Sequence, residues 1–67
     1  MSTHNRLKSW LEAASISQAE LARRLEYDKG NMHRVLNGRL RPTLALAFKI
    51  ERETDGVIPA SAWAEAA

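Results

Sequence analysis

Two helix-start signatures separated by one short helix constrain this chain more than any other feature. The first is Ile16-Ser17-Gln18-Ala19-Glu20-Leu21. Ser17 followed three residues later by Glu20 is the capping-box pattern, in which each side chain satisfies the other's free backbone N–H. Ile16 just before the cap and Leu21 one turn inside supply the apolar pair that sets the entry angle of the chain. The second is Tyr27-Asp28-Lys29-Gly30-Asn31-Met32, where Asp28 is the cap and Tyr27 and Met32 repeat the apolar pair. The spacing predicts one helix from Gln18 to about Leu25 and another from Lys29 to about Asn37. So short a break between them cannot keep the two collinear, so the chain turns sharply at Glu26-Tyr27-Asp28.

The remaining elements follow from periodicity and punctuation. Leu7, Trp10, Leu11 and Ala14 make the stripe of an amphipathic helix over about 4–14. Trp10 reads as core, and Thr3 or Asn5 as the cap. In the second helix Leu21, Ala22 and Leu25 face inward, and small Ala22 lets the next helix cross closely. The third buries Met32, Val35 and Leu36, and Gly38 after Asn37 suits a left-handed C-terminal cap. Arg39-Leu40-Arg41-Pro42 is a basic loop that Pro42 holds extended. Thr43 caps a fourth helix over about 44–54, ended by Gly56. Leu44, Ala45, Leu46, Ala47, Phe48 and Ile50 give it an apolar surface wider than one stripe. Pro59 opens a short final helix over about 59–66, with Trp63 packing back. No strand pattern stands out beyond Gly56-Val57-Ile58.

Composition narrows the function classes. The 67 residues suit one domain and contain no cysteine, which excludes disulfides, zinc–thiolate sites and cysteine nucleophiles. No apolar run has the length of a membrane span, and no signal-peptide pattern opens the chain. The expectation is a cytoplasmic protein. Net charge is only +2, but its distribution is uneven. From Ser17 to Arg41, Arg23, Arg24, Lys29, Arg34, Arg39 and Arg41 outweigh Glu20, Glu26 and Asp28. From Glu51 onward, Glu51, Glu53, Asp55 and Glu65 outweigh Arg52. A basic middle and an acidic tail suit one face turned to a polyanion; ordinary surface charge is the plain alternative.

Capped helix, brief turn, capped helix, glycine and basic loop is the order of a DNA-binding helix-turn-helix. The stretch Ile16-Ser17-Gln18-Ala19-Glu20-Leu21-Ala22-Arg23-Arg24-Leu25, with Asn37-Gly38-Arg39-Leu40-Arg41-Pro42, resembles the Cro/lambda-repressor-like (XRE) helix-turn-helix family. The resemblance covers roughly residues 5–56. It implies an all-α, compact five-helix domain, with the motif at about 17–38 and a single domain over 1–67. The third helix would enter the major groove while the second lies across the backbone. Ser17 and Gln18 would then contact a phosphate, helped by the backbone N–H groups at that helix end, and Arg39 and Arg41 would grip flanking phosphates. Lys29, Gly30, Asn31, His33 and Arg34 would lie on or near the outward side of the third helix.

The side chains refine this picture. Arg34 can bond guanine O6 and N7 bidentately and is the first candidate for base readout, with a phosphate clamp as its alternative. Asn31 can pair with adenine or with backbone near the helix start. Lys29 can reach a guanine or a phosphate, and His33 a phosphate. Gly30 either permits close approach to DNA or is merely tolerated. Arg23 and Arg24 read as a solvated face. Glu26 stands where the family usually has glycine; if that residue is left-handed, its side chain costs about 1 kcal/mol. His33 makes a poor metal ligand, since the other histidine, His4, sits near the chain's start.

These features predict a sequence-specific double-stranded DNA-binding regulator, a Cro-like or antitoxin-like repressor, encoded by a bacterium or phage. One such helix reads only a few base pairs, so a homodimer on a palindromic operator is expected. Helix four, or Val57 and Ile58 with the final helix, would supply its interface; a monomer burying that surface under Trp63 is the alternative. A rival function is a protein-binding module that neutralises a toxin or holds another partner through the acidic, apolar tail. Nothing points to an enzyme, a cofactor or a metal: Ser17 and Glu20 have the spacing of a cap and no base histidine beside them.

Overall fold

A computed structural model describes residues 2–66, and the side chains of 65 and 66, including the acidic Glu65, lie outside what it describes. Four α-helices follow one another: α1 (Thr3–Ala14), α2 (Gln18–Arg24), α3 (Lys29–Leu36) and α4 (Leu44–Glu53). The expected fifth α-helix is instead a 3-10 helix, Ala60–Ala66. Among the described residues no strand forms, and Gly56-Val57-Ile58 passes from turn into bend. Among the described residues, no helix is long and apolar enough to cross a membrane.

All four α-helices begin on a side-chain cap, as their sequences require. Ser17 Oγ accepts from the Glu20 N–H at 3.0 Å, Asp28 Oδ2 from the Asn31 N–H at 2.8 Å, and Thr43 Oγ1 from the Leu46 N–H at 3.2 Å. At α1 the cap is Ser2, whose Oγ accepts from the Asn5 N–H, in place of the expected Thr3 or Asn5. Thr3 is buried and donates its hydroxyl to the Ala62 carbonyl at 2.9 Å, tying the first helix to the last segment. The capping box at α2 closes on one side only. The Glu20 carboxylate turns along the helix to Arg23 and Arg24, because two guanidiniums outbid one backbone N–H.

The C-termini share a device that only one of them advertises. Every α-helix ends on a left-handed residue, with the paired backbone bonds that close a helix on its own last turn. At α3 that residue is Gly38 (φ 74°): its N–H donates to Val35, and the Arg39 N–H donates to Arg34. The other three use Ser15 (φ 58°), Glu26 (φ 53°) and Asp55 (φ 53°). Glycine is therefore absent from three of the four positions that favour it. At α4 the left-handed residue is Asp55, one place before the expected Gly56, which continues the turn with φ 82°. At α2 the Tyr27 N–H donates to Ala22 O at 2.9 Å, so the chain leaves Glu26 already turned toward α3. Replacing Glu26 by glycine removes an unfavourable contact of its Cβ, and the domain is expected to gain about 1 kcal/mol. Denaturant unfolding measures that gain; no change or a loss would show that the Glu26 side chain contributes more than its strain costs.

The core joins all five segments: Leu7 and Leu11 from α1, Leu21, Ala22 and Leu25 around α2, Met32, Val35 and Leu36 from α3, Leu46, Ala47 and Ile50 from α4, then Ile58 and Trp63. Trp10 is half-buried at its edge and Ala14 is exposed. The α1 stripe is thus narrower than its apolar sequence: Leu7 and Leu11 are buried, Trp10 packs at the edge and Ala14 faces out. Ile16 and Tyr27 pack against the core from outside, as their places before two caps require. The broad apolar surface of α4 splits. Leu46, Ala47 and Ile50 go inward, under Ile58 and Trp63, while Leu44 (70% exposed) and Phe48 (50%) remain outside.

Candidate nucleic-acid interface

Two short helices meeting at a tight turn place the first residue of α2 beside the outward side of α3. Gln18 and Ala19 from α2 and Lys29, Gly30, His33 and Arg34 from α3 line one shallow groove. Five residues expected at a nucleic acid thus come together: Gln18, Lys29, Gly30, His33 and Arg34. The rest are spread around them. Ser17 is at the same helix start with its oxygen engaged as the α2 cap. Asn31 is half-buried outside the groove lining. Arg39 and Arg41 are exposed on the loop after α3.

Ion pairs within the protein take up two of the arginines. Glu20 binds Arg23 and Arg24 together, and Arg24 also reaches Glu53 at 3.1 Å. Hydrogen bonds from Arg23 and then Arg24 hold the Glu20 carboxyl at about 2, well below the usual carboxylate range. These two arginines are therefore neutralised within the protein. Lys29, Arg34, Arg39 and Arg41 have no ion-pair partner among the described residues. Arg6, Lys8 and Lys49 make no ion pair either, but donate to Val57 O, Asn37 Oδ1 and Leu25 O. Of the five cations with neither an ion pair nor a side-chain hydrogen bond among the described residues, Arg52 is on α4 and the other four lie on α3 and the loop beyond it. Because the Glu20 pKa is lower folded than unfolded, its contribution to stability is complete above about 4.5 and is lost as pH falls toward 2. Carboxyl-detected NMR should find Glu20 still ionised at pH 3; titration near 4.5 would show that the triad does not persist in solution.

Gly30 has an ordinary helical backbone, and a Cβ there would come 3.3 Å from Asp28 Oδ2. The crowding is against the carboxylate that caps α3. Gly38 is more tightly constrained: besides its positive φ, an added Cβ would lie 2.6 Å from His4 Cε1. His4 is therefore half-buried against the end of α3, holding the start of α1 over the exit loop. Its place near the chain's start concealed that role.

A polar relay escaped the sequence reading. Lys8 Nζ donates to Asn37 Oδ1 at 3.2 Å. Asn37 Nδ2 donates to the His33 carbonyl at 2.7 Å and stands 3.2 Å from His33 Nε2. His33 Nδ1 lies 3.2 Å from Gln18 Oε1. The i, i+4 spacing of His33 and Asn37 was open to view. Lys8 and Gln18 are remote in sequence from Asn37 and His33, and no local signal announces them.

A capped helix laid across another, with free cations along its outer side, defines a helix-turn-helix. A family model described as a helix-turn-helix domain matches residues 5–56, and the chain belongs to that family. The resemblance to Cro/lambda-repressor-like proteins agrees with this membership. Comparison with curated proteins and with solved structures finds no match. Members of a DNA-binding helix-turn-helix family are regulators that act through DNA, and DNA is the partner the family supports.

Proposed function

We propose that the chain is a sequence-specific repressor that inserts α3 into the major groove of a palindromic operator as a homodimer. One observation carries this reading: of the five cations with neither an ion pair nor a side-chain hydrogen bond among the described residues, four, Lys29, Arg34, Arg39 and Arg41, lie on α3 and its exit loop, while Arg23 and Arg24 are neutralised. Arg34 reads a base, Lys29 a base or phosphate, and Gly30 keeps the helix start slim. Asn31 lies on the flank, within reach of an adjacent base edge. Ser17 and Gln18 meet a phosphate at the start of α2, and Arg39 and Arg41 hold phosphates beyond α3. Occupancy then blocks polymerase, with half-sites about 34 Å apart.

Selection from random duplexes, followed by footprinting, tests the reading. The expected site is two-fold symmetric and binds two chains. With about 5–8 phosphate contacts per dimer, the log–log salt dependence should have a slope of roughly −0.9 per contact. A flat salt response with no enriched sequence overturns the proposal. Leu44 and Phe48, one turn apart on α4, with Val57 beyond it, are exposed apolar residues available to a second chain or to a protein partner, whereas Ile58 is buried in the core. If partner capture and regulation both survive loss of DNA binding in an Arg34→Ala, Arg39→Ala double variant, the protein-binding role replaces the repressor.

A further inference from the structure

Histidine beside a DNA phosphate is ordinarily read as a direct contact, but both ring nitrogens of His33 already face partners inside the protein. Donor and acceptor chemistry fixes the orientation of each group. Lys8 Nζ can only donate, so the Asn37 atom it meets is the carbonyl oxygen. The His33 main-chain oxygen can only accept, so the Asn37 atom 2.7 Å away is the amide nitrogen. That nitrogen carries two hydrogens. One goes to the carbonyl and the other points to His33 Nε2, which must therefore be bare. The ring proton of the neutral imidazole is then on Nδ1, directed at Gln18 Oε1.

The consequence falls on Gln18. A glutamine amide can turn over, presenting either two N–H donors or an acceptor to what lies in front of it. An acceptor facing a phosphate oxygen is repulsive. With Oε1 taken by His33, the amide is left with its Nε2 hydrogens as the free, donating side, on an exposed residue at the start of α2. We propose that His33 is a positioning residue, fixed by Lys8 and Asn37 in its Nδ1–H form, which sets the Gln18 amide to donate to DNA phosphate. The inference rests on the DNA-binding reading for its final step, while the relay itself is a property of the free protein.

Two measurements separate these parts. In DNA-free protein carrying 15N-histidine, at a pH where the imidazole is neutral, His33 is expected protonated on Nδ1 and bare on Nε2. A proton on Nε2 overturns the relay. Gln18 is the chain's single glutamine, so its side-chain NH2 resonance is assignable. Its order parameter should fall in His33→Ala and return in His33→Asn, whose Nδ2 occupies the place of Nδ1. Unchanged order in His33→Ala also overturns the proposal.

Binding to a duplex carrying the selected operator tests the last step. His33→Ala should weaken it about two- to tenfold, the range of a single hydrogen bond, and His33→Asn should restore it. In a Gln18→Ala background, His33→Ala should cost nothing more. Multiplying losses would show that His33 touches DNA itself, and would overturn the positioning role. If the wild-type chain enriches no duplex, the phosphate step falls with the repressor reading, and the NMR outcomes alone decide the relay. Should His33→Ala fail to fold, the same order and affinity measurements on Asn37→Ala decide the matter, since removing Asn37 frees the ring to turn over.

Discussion

Arg34→Ala is expected to lower affinity for the selected operator by about 1–3 kcal/mol, roughly five- to 150-fold, for each half-site, while leaving unfolding nearly unchanged. The asymmetry follows from its surroundings. Arg34 is exposed, on the side of α3 opposite Met32, Val35 and Leu36, and has no ion-pair partner among the described residues. Its removal leaves no buried charge and opens no cavity, so stability should change by less than about 0.5 kcal/mol. A guanidinium on O6 and N7 of guanine reads sequence, so the loss should be specific to one base pair in each half-site. Arg39→Ala, on the loop, should instead weaken binding to all duplexes alike and reduce the salt slope of the dimer by about two, roughly 0.9 for each chain's lost contact. Binding across a set of singly substituted operators checks both. Uniform loss from Arg34→Ala would reassign that residue to the backbone.

The second large effect is on folding. Leu36→Ala is expected to cost about 2–5 kcal/mol, because Leu36 is fully buried where α3 meets the core. A domain of this size has only some 3–10 kcal/mol to lose. Thermal unfolding should therefore drop by roughly 10–30 °C, and some preparations should be unfolded at 37 °C. No staple offsets the loss, since the chain has no cysteine. DNA binding should weaken in proportion to the unfolded fraction and recover at low temperature. A variant that melts within a few degrees of the wild type would mean that the site collapses around the smaller residue.

These two outcomes separate the parts of α3 that the sequence distinguishes. Its apolar positions are inward and its basic positions outward, an assignment that helical periodicity alone permits. The starts of α2, α3 and α4 were equally legible, because a cap is a local interaction: Ser17, Asp28 and Thr43 each bond a backbone N–H three residues on. Ends were less legible. A left-handed residue is announced by glycine at Gly38, whereas Ser15, Glu26 and Asp55 adopt the same conformation because the packed helices on either side leave the chain no other path.

The last segment shows the limit of propensity. Alanine-rich Ala60–Ala66 suits an α-helix, yet it winds as 3-10. At its start the Ala60 N–H is held by Glu51 Oε1 at 2.7 Å, and within it the Ala62 carbonyl is held by the Thr3 hydroxyl. Those anchors come from α4 and α1. For a segment this short, propensity is a weaker force than tertiary contact.

The sequence by itself determined the two capped helices, the sharp turn between them, the inward face of each and the basic stretch that follows, since all of these are set by neighbours within a turn or two. Only the tertiary structure decided which ion pair joins two helices. Glu20 lies within one turn of Arg23 and Arg24 and pairs with them locally, whereas Glu53 reaches Arg24 from α4. It also decided that His33 faces Gln18 and Asn37 while Lys8 orients Asn37 from another helix. Such pairings depend on how α1, α2 and α3 cross, and a crossing is fixed by core packing summed over the whole domain, which no local pattern encodes.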